Sequence, residues 1–193
     1  RLDNDMDLRQ AAFEPAAHYA DAIWHLAPGE HVTEWYSRLA PSAYVELGYS
    51  RSLKFDEDDC EPEFDYGFYG QMTPRRNAMF GHLGGTLLQL PFIEMTAAER
   101  DAQMRRVRVI PQIRAHDSQG IVSSSRCATA LHLGRPIVAE MHEYPGLWRD
   151  VVYFAKNGAD FIDATHAALG SWRSLHAAQV TEFARRLSAS VCL

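Results

Sequence analysis

The sequence has few cysteines, and none of the three stands near another. Cys60, Cys127 and Cys192 offer no CxxC spacing, which excludes a disulfide framework or a zinc ribbon and fits a reducing compartment. No apolar run approaches the roughly 20 residues of a membrane span. No signal-peptide pattern opens the chain. The expectation is a cytoplasmic protein without a membrane span. Basic residues are outnumbered, for a net charge of -6, which argues against a general nucleic-acid or anionic-membrane surface. The glycine fingerprints GxGxxG and GxxxxGK[ST] are missing, and so is the GxSxG elbow of many hydrolases. The nine histidines fall in neither HxH nor HExxH spacing, so no metal site is expected from them.

What is present is an alternation of apolar strands and capped helices. A chain of 193 residues, 47% hydrophobic and 23% charged, can bury one substantial core plus an appendage. "DAIWHLA" (21–27), "GEHVTEWYSRLA" (29–40) and "AYVELGY" (43–49) read as strand, helix and strand, a βαβ-like unit within 1–55. The run "FDEDDCEPE" (55–63) holds six acids and reads as a solvated linker rather than a metal-binding DxD. From 64 to 193 the rhythm is regular. Strands are expected at 64–70, 86–91, 108–115, 135–141 and 150–155. Helices are expected at 73–85, 96–107, 123–134, 158–170 and 171–187. Thr73 with Pro74 marks one helix start, and Thr96 with Glu99 a capping box at another. This pattern predicts a Rossmann-like α/β domain, a parallel sheet with helices on both faces.

Ligands bind such sheets at the carboxyl ends of the strands. There the first strand delivers "GQMTPRRN" (70–77): Gly70 permits a tight turn, and Arg75 and Arg76 enter the first turn of a helix. "SSSR" (123–126) puts Arg126 in the same place on a second helix. A cation at a helix N-terminus is unfavourable by roughly 0.3–1 kcal/mol. An anion there satisfies free N–H groups and gains bidentate arginine bonds. Two such turns at two strand ends point to one shared anion. A third strand ends in "EMHEYPG" (140–146), where Glu140 and Glu143 can accept sugar hydroxyls and His142 can exchange a proton near neutral pH. His132, among apolar helix residues, reads as a satisfied core or boundary histidine. His176, Val180, Phe183 and Leu187 share one helix face and read as a docking stripe. Trp24, Trp35, Tyr36 and Tyr44 form an aromatic group that either packs on the main domain or meets a partner.

The stretch "FDYGFYGQMTPRRNAMFGHL" (64–83) resembles the opening of the C-terminal half of bacterial GT-B glycosyltransferases of the CgeB-like, group 1-like kind. In those an "FYG-x-x-x-x-RR" turn follows the first strand of the nucleotide-sugar domain. "SSSRCATALHLGRPIVAE" (123–140) is similar to that group's arginine-bearing helix, "AL-x-x-G" and "VVSE", and 19–50 to its approach to the hinge. The resemblance implies one half of a GT-B fold: a hinge-proximal segment over 1–55 and a nucleotide-sugar-binding domain over 64–193. It also implies a UDP- or GDP-linked sugar as substrate, no cofactor and no metal. Gly70, Gln71, Arg75, Arg76, Ser124, Arg126 and Glu140 would bind the donor diphosphate, with His142 and Glu143 as candidates for chemistry. The sequence departs from the pattern: Ser123 stands where a glutamate is expected three residues before the helix arginine, and Thr129 where the second glutamate of the retaining E-x7-E signature would fall. Such a chain would be a glycosyltransferase, or half of one working with an acceptor-domain partner or a second copy. The competing readings are a non-catalytic nucleotide-binding scaffold and a sugar-nucleotide epimerase.

Overall fold

The computed structural model describes residues 13–27, 29–53, 61–91, 95–117 and 119–187. Most of the acid-rich linker, with Cys60 and Cys192, lies outside the described residues. A small unit comes first: strand β1 (Ile23–His25), helix α1 (Glu30–Ser37) and strand β2 (Ser42–Tyr44). Its two strands pair in parallel, Trp24 opposite Ala43. The strand expected over 43–49 stops at Tyr44 because the chain then turns onto the large domain. There Tyr49 lies flat against His132, with an interplanar angle of 6°. The Tyr49 amide donates to the Leu187 carbonyl at 2.5 Å.

The large domain runs β3 (Phe64–Tyr69), α2 (Pro74–Leu83), β4 (Leu87–Leu90), α3 (Ala97–Met104), β5 (Val107–Gln112), α4 (Ser124–His132), β6 (Ile137–Ala139), β7 (Tyr153–Phe154), α5 (Gly158–Gly170) and α6 (Trp172–Arg186). The helix starts follow local chemistry. Thr73 accepts the Arg76 amide and Pro74 opens α2. Thr96 and Glu99 close a full capping box at α3. β7 is shorter than the strand expected over 150–155, because Gly146–Asp150 winds into a 3-10 turn that buries Trp148.

The five strands are all parallel, in the order β4-β3-β5-β6-β7. Their side chains divide between two separate cores. Val107, Ile110, Ile137 and Ala139 face Cys127 and Leu131 of α4 and Phe183 of α6. Tyr66, Phe68, Val109 and Val138 face Phe80 of α2 and Phe161 of α5. Helices therefore cover both faces, as parallel sheets require. Each fully buried Phe, Ile or Leu contributes about 1.5–3 kcal/mol of transfer free energy.

The strand order reverses between β3 and β5. Their register runs from Phe64 opposite Val107 to Tyr66 opposite Val109 and ends there. Pro111 explains the end. Ile110 donates to Pro136, and Gln112 accepts from Glu140, so both address β6. Pro111 faces the other way, toward β3, and has no N–H to offer. Gly67 to Tyr69 continue beside β4 alone, and the ends of β3 and β5 part. A reversal of strand order is where parallel α/β sheets bind their ligands.

Candidate functional site

Two buried arginines fill the gap between these strand ends. Arg126 reaches in from the first turn of α4, donating Nη1 to Gln112 Oε1 at 2.7 Å and Nη2 to the Tyr69 carbonyl at 3.1 Å. Arg76 reaches in from α2, donating Nε to the Ile113 carbonyl at 3.0 Å and Nη1 to the Gln71 carbonyl at 2.7 Å. Both guanidinium carbons stand 5.0 Å from the centroid of the Phe68 ring. Only 6% of Arg76 and 9% of Arg126 is exposed.

Neither arginine forms an ion pair among the described residues. Burial, and then the Arg126 charge, brings the Arg76 guanidinium down to about 10. Burial also lowers the value for Arg126. Buried charges are normally paired, because desolvating an ion costs several kcal/mol. Two cations on one aromatic ring, without a carboxylate, form a strongly anion-seeking floor.

Arg75 has a different role. It grips Glu140 with both forks, Nη1 to Oε2 at 2.8 Å and Nη2 to Oε1 at 2.5 Å. Its Nε donates to Asp117 at 2.7 Å. These bonds raise the Arg75 value above its ordinary range and hold Asp117 below the usual carboxylate range. Glu140, buried at the end of β6, also accepts the Arg114 amide at 2.6 Å. The Arg75 and Arg114 side chains are 22% and 24% exposed and form the mouth. Four arginines stand here against Glu140 and Asp117, leaving a local excess of two positive charges.

The remaining sequence candidates fall into place around this core. Gly70 ends β3 at φ +125°, and a Cβ there would lie 3.2 Å from Arg126 Nη2. Gln71 is exposed and contributes its carbonyl. Ser124 is buried and committed elsewhere, its Oγ accepting from Trp148 Nε1 at 3.0 Å. His142, 2% exposed, has Nδ1 2.7 Å from the Glu140 carbonyl, and burial lowers its value. Glu143 is exposed and pairs with the Tyr144 hydroxyl, raising the latter's value, on the outer side of the loop. Gly70, Arg75, Arg76, Arg126, Glu140 and His142 thus gather at one end of β3, β5 and β6.

Sequence reasoning missed Phe68, Gln112 and Arg114. Nothing local distinguishes them; their part depends on which strands are neighbours. A separate open cavity of about 420 Å³ lies between the small unit and α4, lined by Trp24, Leu26, Tyr36, Ile121, Ser123 and Ser125 among others. Trp24 is 78% exposed beside it, while Trp35, Tyr36 and Tyr44 are partly buried. Among the described residues no three His, Cys, Asp or Glu side chains form a metal-binding group. No helix among them is long and apolar enough to cross a membrane.

No protein-family model matches the sequence, and no curated protein sequence matches it. Among solved structures, the crystal structure of TarM, a GT-B glycosyltransferase, aligns with a TM-score of 0.60 at 10% identity. The alignment covers 94% of this chain and 44% of TarM, so the chain spans less than half the length of this neighbour. The likeness establishes the fold: a Rossmann-like parallel sheet with helices around it, consistent with half of a GT-B architecture.

Proposed function

We propose that this chain is the donor-binding half of a GT-B glycosyltransferase, of the CgeB-like kind that the sequence motifs resemble. It would hold a UDP- or GDP-linked sugar by its diphosphate. The observation that carries the reading is the convergence of Arg76 and Arg126 on Phe68, buried and without carboxylate partners, at the reversal of strand order. When the sugar leaves, negative charge develops on the departing diphosphate. Preorganised guanidinium groups in a dry site stabilise that charge most effectively, and a divalent metal is not required for it. Arg75 and Arg114 at the mouth would meet the ligand first. The acceptor side would come from a further domain, a partner chain or a second copy.

A binding module without transfer is the second reading, and Glu140 favours it. Both its oxygens are occupied, by Arg75 and by the Arg114 amide, so it offers no free base.

A thermal-shift titration tests the site. UDP or GDP raises the melting temperature, and joint Arg76→Ala and Arg126→Ala substitution abolishes the rise. No shift with either nucleotide at millimolar concentration overturns the donor-site reading. Transfer of radiolabelled sugar, with and without a candidate acceptor partner, then separates enzyme from binding module.

A further inference from the structure

Four buried nitrogen atoms at this strand end have no hydrogen-bond partner among the described residues: Gln112 Nε2, Arg114 Nε, Arg126 Nε and His142 Nε2. Buried polar atoms in folded proteins are nearly always paired, so a cluster of exceptions marks a place where something polar is expected to bind. Gln112, Arg126 and His142 are each more than nine-tenths buried. They occupy the ends of β5 and β6 and the first turn of α4, within one electrostatic neighbourhood: Arg114 and Arg126 both act on the His142 ring.

The four atoms are not alike. The amide and guanidinium nitrogens can only donate. His142 is fixed the other way. Its Nδ1 faces the Glu140 carbonyl at 2.7 Å, and a carbonyl can only accept, so Nδ1 carries the proton. Burial keeps the ring neutral. Nε2 therefore presents a lone pair, which repels a phosphate oxygen and accepts from a hydroxyl. The complement of the whole cluster is a molecule with an anionic oxygen face and, beside it, a hydroxyl group.

We infer that His142 Nε2 accepts a hydrogen bond from a hydroxyl of the ligand whose phosphate oxygens meet Arg126, Arg114 and Gln112. This inference rests on the donor-site reading above and deepens it: His142 senses the sugar part of the ligand, not its charge. The hydroxyl can belong to the ribose of the nucleotide or to the transferred sugar.

The experiment compares the full chain with His142→Phe and His142→Gln. Its probes are inorganic pyrophosphate, the nucleoside diphosphate that binds (UDP or GDP), the 2′,3′-dideoxy analogue of that nucleotide, and its hexose conjugate. His142→Phe is expected to weaken the hydroxyl-bearing ligand about tenfold and to leave pyrophosphate affinity within about twofold. His142→Gln, whose amide oxygen can also accept, restores most of the loss. A loss shared by the nucleotide but not its dideoxy analogue assigns the hydroxyl to ribose. A loss confined to the hexose conjugate assigns it to the sugar. Equal weakening of pyrophosphate overturns the inference, because His142 would then act through the arginines or the fold. Unchanged affinity for every hydroxyl-bearing probe overturns it as well. If the unmodified chain binds none of the four probes, the donor-site reading itself fails, and this one with it.

Discussion

Arg76 and Arg126 leave different helices and end on the same benzene ring, each guanidinium carbon 5.0 Å from the Phe68 centroid. Cation–π attraction at a desolvated ring is worth roughly 2 kcal/mol or somewhat more. That offsets only part of the cost of burying a guanidinium, which is several kcal/mol. The arrangement is therefore a standing electrostatic debt in the free protein. An anionic ligand is the natural way to settle it.

Removing one of the charges should separate stability from binding. Arg126→Met keeps the length and apolar stem and deletes the buried cation. It also leaves the Tyr69 carbonyl and Gln112 Oε1 without their donor, at about 1–3 kcal/mol. Relief of desolvation works in the opposite direction with similar size. The expected outcome is unfolding stability within about 1 kcal/mol of the parent, read by urea denaturation. The nucleotide-induced rise in melting temperature is lost in the same variant. A variant that unfolds easily yet still binds would show that Arg126 only braces the strands.

The Arg75–Glu140 pair should behave in the opposite way. Glu140 is buried and accepts two of its three side-chain hydrogen bonds from Arg75. Arg75→Ala strands that carboxylate and should cost about 3–5 kcal/mol. Glu140→Gln in the same chain removes the stranded charge and should recover a large part of the loss. A double-mutant cycle in denaturant measures the coupling. Coupling near zero would mean that solvent already screens the pair.

Stability should fall on acidification because of His132. Its Nδ1 donates to the Ala128 carbonyl at 2.8 Å, and its Nε2 accepts the Ser50 amide at 3.2 Å. A protonated ring would turn Nε2 into a donor facing another donor. Burial lowers the folded-state value, so between that value and the unfolded one, about 6.5, the unfolded chain binds more protons. Stability is then full above about pH 6.5 and drops as pH falls below it, by at most about 1.4 kcal/mol per pH unit for this group. His142, also lowered by burial, adds in the same direction. His132→Phe keeps a ring on Tyr49 and should flatten the slope while lowering stability by about 1–3 kcal/mol, the cost of an unpaired Ser50 amide. Denaturation curves between pH 5 and 8 read both effects.

The parts of this fold that were legible in the sequence are those that local chemistry decides. Thr73-Pro74 and the Thr96–Glu99 box announce their helices because a cap is complete within four residues. His132 is legible as a satisfied core or boundary histidine: it is buried, and both its ring nitrogens are hydrogen-bonded. Arg76 and Arg126 stand out because a cation at a helix N-terminus contradicts the dipole. Gln112 and Phe68 carry no such contradiction. Their importance comes from β5 lying next to β3 and from Pro111 ending that pairing, facts that belong to strand order. The grip of Arg75 on Glu140 spans 65 positions, and no spacing rule reaches that far. The same limit explains β7: whether "DVVYFA" extends fully depends on where Trp148 is buried.

Gly70 links backbone geometry to the arginine floor, and its substitution gives the last expectation. At φ +125° the residue lies where side chains are rarely tolerated, and an added Cβ would press on Arg126 Nη2 at 3.2 Å. Gly70→Ala should cost about 1–3 kcal/mol through backbone strain. It should also displace the Arg126 fork from the Tyr69 carbonyl and abolish the nucleotide-induced thermal shift. Strain alone could mimic the first effect, so Gly84→Ala supplies the contrast. Gly84 also has positive φ, +61°, but no atom within 4 Å of an added Cβ. That variant should lose stability and keep binding. If both variants bind nucleotide like the parent, the Gly70 turn does not set the position of Arg126, and the site tolerates a looser arrangement than its close contacts imply.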